Sequence, residues 1–323
     1  MINEVRNTVL SILNKNNYGY ISPSDFNLVA ANAQMEIYEE YFSSYNKVIN
    51  AENQRVSGTD YADVEQPIAE TLESFLVTDY LRNFDRNVQN NIFSVPTLAT
   101  VGNDAYYILK IICYTNKLAE GAALMSFGLE LLDSSATFLS DGLSVGDIVI
   151  DRNIGLSTTI SSIVSNTKLL LASNINPTNN SSYGYTILKS SEFKEADKVS
   201  VGKITMLNAS TLTKPSNFYP SYTLEGQSIK IYPNTISSVG QVQAVYFRYP
   251  KTPKWTYITL TSGEPVFDQS QLDYQDFELP NEDGYKIVTK MLEYFGVEIR
   301  EFEVSAFGTA QQQHEQPTFS MQQ

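Results

Sequence analysis

Apolar residues recur every three or four positions at the two ends of this chain, and in short strand-like runs between them. That change of period constrains the fold more than any single motif does. Near the N-terminus Ile2, Val5, Val9 and Ile12 form one stripe, and Phe26, Ala30, Ala33, Ile37 and Tyr41 form a second, with Glu36, Glu39 and Glu40 off it. A helix of 3.6 residues per turn puts such positions on one face. Pro67, suited to a first helical turn, opens a third candidate in which Ile68, Leu72, Phe75 and Leu76 share a side. In NEDGYKIVTKMLEYFGVEIREF, Asn281 is read as an N-cap, with Glu282 and Asp283 well placed in the first turn. Tyr285, Val288, Leu292, Phe295, Ile299 and Phe302 then make a narrow seam that needs a surface to pack on, and the N-terminal helices can supply it.

From about residue 92 the texture is that of strands. YYILKIICY is rich in β-branched and aromatic residues, and between Leu131 and Leu188 the turn signals SDG, RNIG, SNT and NPTNNSSYG separate VGDIVI, STTISSIV, KLLLA and YTIL. That rhythm predicts a small antiparallel barrel. KVSVGKITML, SIKIYP and QVQAVYFRYP read as further strands, around the loop TKPSNFYPSY. The expected fold class is α+β. A helical region (1–91) leads to a β-rich segment (92–130), an inserted barrel (131–189) and a second β-rich segment (190–280). A C-terminal helix (281–304) packs back on the first helices, and a polar tail (305–323) orders only on a partner.

The 323 residues can bury a large core, and a hydrophobic content of 42% argues against a disordered chain. With 36 acidic against 22 basic residues the formal charge is −14, which repels phosphate backbones and argues against ordinary duplex DNA binding. A surface past which DNA must slide without sticking has the same requirement. One cysteine, Cys113, allows no internal disulfide or cysteine-based metal site and reads as a core residue of YYILKIICY. No apolar run reaches membrane-spanning length and the start MINEVRNTVL is no signal peptide, so a membrane partner is not expected.

NKNNYGYISPSDF (14–26) has the spacing of a calcium-binding helix-loop-helix, with Gly19 at the sharp turn. Its ligand positions fall on Asn14, Asn16, Tyr18, Ser22 and Asp25, a single carboxylate where such sites gather several and end on a bidentate Glu. A turn explains more residues: Ser22 as N-cap, Pro23 at the first helical position, Asp25 closing a capping-box variant and Gly19 supplying a positive φ. No metal or other cofactor is expected.

The lone histidine, His314, lies in the glutamine-rich tail, and no phosphate-cradling glycine motif, GxSxG or HExxH is present. No enzyme is expected, although a glycan hydrolase would need only two carboxylates. The one basic and aromatic concentration is YFRYPKTPKWTY (246–257). It reads either as a strand ending in a proline-rich turn, aromatics inward and lysines solvated, or as a protein interface built on Arg248, Tyr249, Lys251, Lys254, Trp255 and Tyr257. Single-stranded nucleic acid, bound by stacking, is the third reading, and the net charge argues against it.

GYISPSDFNLVAANAQMEIYEEYF, VYFRYPKTPKWTY and FELPNEDGYKIVTKMLEYFGVEIREFEV resemble segments of structural proteins of short-tailed, crAss-like bacteriophages. FLSDGLSVGDIVIDRNIGLSTTISSIVSNTKLLLASNI is similar to a small β-barrel module inserted into many phage virion proteins; residues 50–130 carry no resemblance. The resemblance implies a head–tail connector, a ring or adaptor protein beneath the portal in the virion, assembled in the host bacterial cytoplasm. Its implied partners are other copies of itself in a ring of twelve, the portal, neighbouring ring or tail proteins, and genomic DNA that passes without specific binding. Another tail or fibre-attachment component is the alternative. The family supplies no catalytic residues. Ring closure needs two different faces per chain, with the 246–257 stretch as one and the tail as an arm that orders on a neighbour.

Overall fold

The structure, a computed structural model, describes residues 1–14, 21–54, 70–85, 90–124, 128–175, 182–261 and 263–298. It is mixed α+β and divides into two compact units, one from both chain ends (Met1–Phe75 with Pro250–Gln323) and one from Leu76–Tyr249. The first unit begins with α1 (Ile2–Asn14) and α2 (Pro23–Gln54). The second runs β1 (Leu76–Tyr80), β2 (Ile92–Ser94), α3 (Leu98–Val101), β3 (Ala105–Tyr114), β4 (Lys117–Ala123), β5 (Glu130–Leu132) and β6 (Ile148–Asp151). It continues with β7 (Ser157–Ser165), β8 (Lys168–Leu171), β9 (Tyr183–Leu188), β10 (Phe193–Lys198), α4 (Val201–Ala209), β11 (Ser221–Glu225), β12 (Ser228–Tyr232) and β13 (Val242–Arg248). The chain then returns to the first unit for β14 (Tyr257–Thr259), β15 (Pro265–Phe267) and α5 (Gly284–Glu298).

In the helical unit α5 packs on α1 and α2. Ile2, Val5 and Val9 of the first stripe are buried, and so are Phe26, Ala30, Ala33 and Ile37 of the second. Leu13 joins the core while Ile12 is half-buried. The α2 start follows from its cap. The Ser22 Oγ accepts the Asp25 N–H at 3.1 Å, and the Asp25 carboxylate takes the Ser22 hydroxyl at 2.5 Å. Asp25 thus closes on the side chain of Ser22. Gly19, read as supplying a positive φ to the turn before α2, and the other residues from 15 to 20 lie outside the described residues.

At the other end the seam is displaced. Ile287, Val288, Met291, Leu292 and Phe295 are buried, whereas Tyr285 is exposed. Asn281 is not the cap of α5: residues Asn281–Asp283 form a 3₁₀ turn that feeds the helix. Its Asp283 is buried and receives the Tyr41 hydroxyl. Ile299, Phe302 and the 305–323 tail lie outside the described residues. Residues 70–73 are helical, with Leu72 and Phe75 buried, but Leu76 already belongs to β1, so the helical region stops short of residue 91.

The β-rich unit contains two sheets. A seven-stranded one has the order β1-β13-β3-β10-β11-β12-β2, antiparallel except for the parallel β10–β11 pair. Its core includes Phe93, Ile111, Cys113, Ile229, Ile231 and Tyr246. A six-stranded sheet, β4-β9-β6-β7-β8-β5, curls until its edges meet at the Leu124–Leu132 bridge, making a half-barrel. β3 and β10 are antiparallel neighbours, with Ile111 opposite Ala196, so the whole half-barrel is an insertion between two paired strands. It begins at Lys117 rather than Leu131, because β4 and β5 complete it.

One strand expectation is overturned. In KVSVGKITML only the first residue extends β10, and the chain then turns into α4. The Ser200 Oγ caps that helix by accepting the Lys203 N–H at 3.4 Å, and Ile204 is its one buried residue.

Candidate functional site

The basic, aromatic 246–257 stretch is divided between the two units at Tyr249 and Pro250. Tyr246 is buried in the seven-stranded sheet, where its hydroxyl donates to Asp79 at 2.7 Å. Arg248 is half-buried on β13 and donates to the Tyr249 carbonyl at 3.2 Å. Tyr249 is exposed and meets Tyr106 edge to face, ring centroids 5.1 Å apart.

Past Pro250 the stretch becomes a clamp on the helices. The Lys251 carbonyl accepts from Gln34 Nε2 at 2.8 Å and its N–H donates to Glu278 at 2.7 Å, leaving the ammonium exposed. Trp255, an anchor in the interface reading and an inward aromatic in the other, is a core side chain with 2% of its surface accessible. Its indole N–H donates to Asn3 Oδ1 of α1 at 3.1 Å, and its backbone exchanges two hydrogen bonds with Asn27 of α2, at 2.8 and 3.2 Å. The Arg6 guanidinium lies 3.9 Å from one indole face, and Tyr257 and Phe267 stack on the ring system with centroids 5.6 and 5.9 Å away. Tyr257 keeps an exposed edge, and Lys254 is paired to Asp273 at 2.5 Å on the surface. Of the six named residues, the exposed side chains are therefore Tyr249, Lys251, Lys254 and Tyr257, shared between two units.

The buried titratable groups serve their own neighbourhoods. Lys290 is buried between Glu36 and Glu40, the latter at 2.8 Å. Burial alone would lower its pKa, but the two carboxylates more than offset that and raise it. In the half-barrel Asp133 Oδ2 accepts the Tyr185 hydroxyl at 2.7 Å and Oδ1 accepts the Ser135 N–H and hydroxyl at 2.8 and 2.6 Å. Burial would raise that carboxyl, yet these donors hold it below the usual range. Asp151 goes the other way. Burial raises it despite N–H donors from Asn153 and Ile154, and its Oδ2 is buried with no hydrogen-bond partner. Burial pushes the Cys113 thiol up to about 12, so it is an inert core group. Among the described residues no cluster of His, Cys, Asp and Glu could hold a metal, and His314 lies outside them.

Two surfaces escaped the sequence reading. The first is a groove of about 520 Å³ between α4 and the loop before β11, lined by Lys198, Lys203, Leu207, Leu212, Lys214 and Tyr219. Leu212 is 94% and Tyr219 79% exposed there. The second is the β14–β15 hairpin, in which Ile258 pairs with Val266 and both are exposed, as are Leu260 and Leu272 beside them. The signal for the groove sat in plain view in TKPSNFYPSY, where Phe218 and Tyr219 stand in a loop that no strand pattern can bury. No helix among the described residues is long and apolar enough to cross a membrane. No protein-family model matches the chain, and no curated protein matches it.

Proposed function

We propose that this chain is a structural subunit of a bacteriophage virion, a ring-forming connector that joins the portal to the tail and contributes to the channel through which the genome passes. The observation that carries the reading is the architecture. Helices from both chain ends form one unit, a β-rich unit is spliced between them, and a half-barrel is inserted between paired strands of that unit. This is the arrangement implied by the likeness of the chain ends to phage connector proteins and of residues 138–175 to a small β-barrel module inserted into many phage virion proteins. The Asp133–Tyr185 pair and the Lys290 pairs with Glu36 and Glu40 also fit a scaffold, since each joins neighbouring side chains of its own unit. A chain carrying −14 charges would let DNA slide past, because phosphate affinity comes from lysine and arginine contacts.

The test is imaging of the purified chain by negative stain, with and without a portal. A ring of the portal's symmetry that docks on it is the expected result. A trimer would favour a fibre or tail component instead. A monomer that ignores the portal, or steady cleavage of a glycan, would overturn the reading.

A further inference from the structure

Six lysines of this chain are neutralised where they stand. Lys117, Lys168, Lys189, Lys254, Lys286 and Lys290 each sit within 4 Å of a carboxylate, at 2.5, 2.8, 3.2, 2.5, 3.0 and 2.8 Å to Glu120, Glu130, Asp147, Asp273, Asp283 and Glu40. Lys110, Lys194, Lys230 and Lys251 have no ion-pair partner among the described residues, and neither do Lys198, Lys203 and Lys214, which lie together. These three line one groove, and its apolar wall includes the exposed Leu212 and Tyr219. Asp197 is the one acidic residue lining it. A groove that is both cationic and apolar, on a chain of net charge −14, is complementary to an acidic, apolar protein segment.

The chain carries such a segment itself. Residues 257–276 contain Glu264, Asp268, Asp273 and Asp276 and no lysine or arginine. Asp273 is paired to Lys254, and Asp276 takes the N-terminal ammonium at 3.1 Å. Glu264 and Asp268 have no cationic partner among the described residues, and they flank the exposed Val266 on β15. The far face of the same hairpin is fixed by the stacking of Phe267 and Tyr257 on Trp255. A rigid support behind an exposed face lowers the ordering cost of binding.

We infer that the β14–β15 hairpin of one copy docks in the lysine groove of a second copy, as the repeating contact between subunits. The two surfaces are different, so the contact is head-to-tail and repeats around a ring or along a filament. This deepens the connector reading, on which its ring form rests, by naming the two faces. Val266 and Leu260 would bury against Leu212 and Tyr219 while Glu264 and Asp268 meet the lysines.

The experiment measures the mass of the full chain by sedimentation velocity over a concentration series at low and high salt. Three variants accompany it: Lys198→Glu with Lys203→Glu and Lys214→Glu; Glu264→Lys with Asp268→Lys; and all five changes together. Each set alone is expected to weaken self-association roughly a hundredfold, and the combined chain to recover most of it because the charges are again complementary. Added salt should weaken association of the wild type. Four of the five positions are exposed and Asp268 is half-buried, its carboxylate accepting from Ser270 and Gln271, so the single Trp255 is used to report by its fluorescence that each variant is folded. A wild type that stays monomeric or ignores salt, single sets that associate normally, or a combined chain that fails to recover would each overturn the contact. An oligomer indifferent to these changes would leave the connector reading standing, whereas failure of that reading shows as a chain that does not dock on the portal.

Discussion

In the unit built from the chain ends, Trp255 is held by Asn3 and Asn27, 252 and 228 positions away in sequence. In the half-barrel β6, β7 and β8 pair in succession, each with the next, through short turns. The two regions build their cores by different routes. One closes a long loop before any reward arrives, and the other accumulates local hairpins. Loop closure costs little more for each doubling of length, but it makes the late contact decisive. Trp255 then ties the returning chain to α1 and α2 beside the apolar seam of α5, while the half-barrel is held by successive strand pairs.

The largest predicted effect follows from that. Trp255→Ala removes the indole from between Arg6 and the Phe267 and Tyr257 rings and leaves Asn3 without its donor. The expected loss is about 3–5 kcal/mol. It should appear as faster amide hydrogen exchange in α1, α2 and α5, with exchange in β6 to β9 little changed. Equal loss of protection in both regions would break the comparison and make the chain one cooperative body.

This contrast also explains what the sequence could tell. Strands of the half-barrel core announce themselves as runs of strand formers between turn signals, as in Lys168–Leu171, although its alternating burial is not written in three consecutive leucines. β4, KLAEGAA, does not, because Gly121 and its alanines are poor strand formers. Gly121 is there for a reason outside its own segment: a Cβ would lie 2.4 Å from Asp133 Oδ2 and 2.6 Å from the Tyr185 hydroxyl. The misreading of KVSVGKITML has the same origin, since a lone serine cap decided what alternation left ambiguous. Burial of Trp255 is one of two readings the sequence leaves open, because tryptophan beside lysine and tyrosine also fits an exposed anchor until the distant asparagines are in place. Of the six candidate residues the lysines and tyrosines are exposed, Arg248 is half-buried and the tryptophan is buried.

A second, smaller effect sharpens the comparison inside the half-barrel, where two buried aspartates titrate in opposite directions. Tyr185→Phe removes one donor to Asp133 and is expected to cost about 1–3 kcal/mol. The folded pKa of Asp133 is lowered, so its contribution to stability is fully present above the ordinary carboxylate value of about 3.9 and is lost as pH falls through the folded value. For Asp151 the folded value is raised, so its contribution is present below that ordinary value and is lost as pH rises through the folded one. Carbon-13 carboxyl titration should find Asp133 low and Asp151 high, with Asp133 moving up in the Tyr185→Phe chain. A shared normal value for both would mean that water reaches them and that the half-barrel core is wetter than its packing implies.

The smallest effect belongs to the surface. The Lys254–Asp273 pair, 2.5 Å apart, leaves half or more of each side chain accessible, so solvent screens most of its attraction. Lys254→Ala should shift stability by less than about 0.5 kcal/mol, within the scatter of a denaturant midpoint. Its consequence for assembly has the opposite sign from that of the groove lysines. Removing Lys254 leaves Asp273 unpaired beside the exposed Leu272 and makes the hairpin region more negative, which favours docking against Lys198, Lys203 and Lys214. Self-association at low salt should therefore tighten slightly in the Lys254→Ala chain, and the difference should vanish at high salt. Weaker association instead would place Lys254 itself in the contact and move the interface from the acidic hairpin to the basic segment that precedes it.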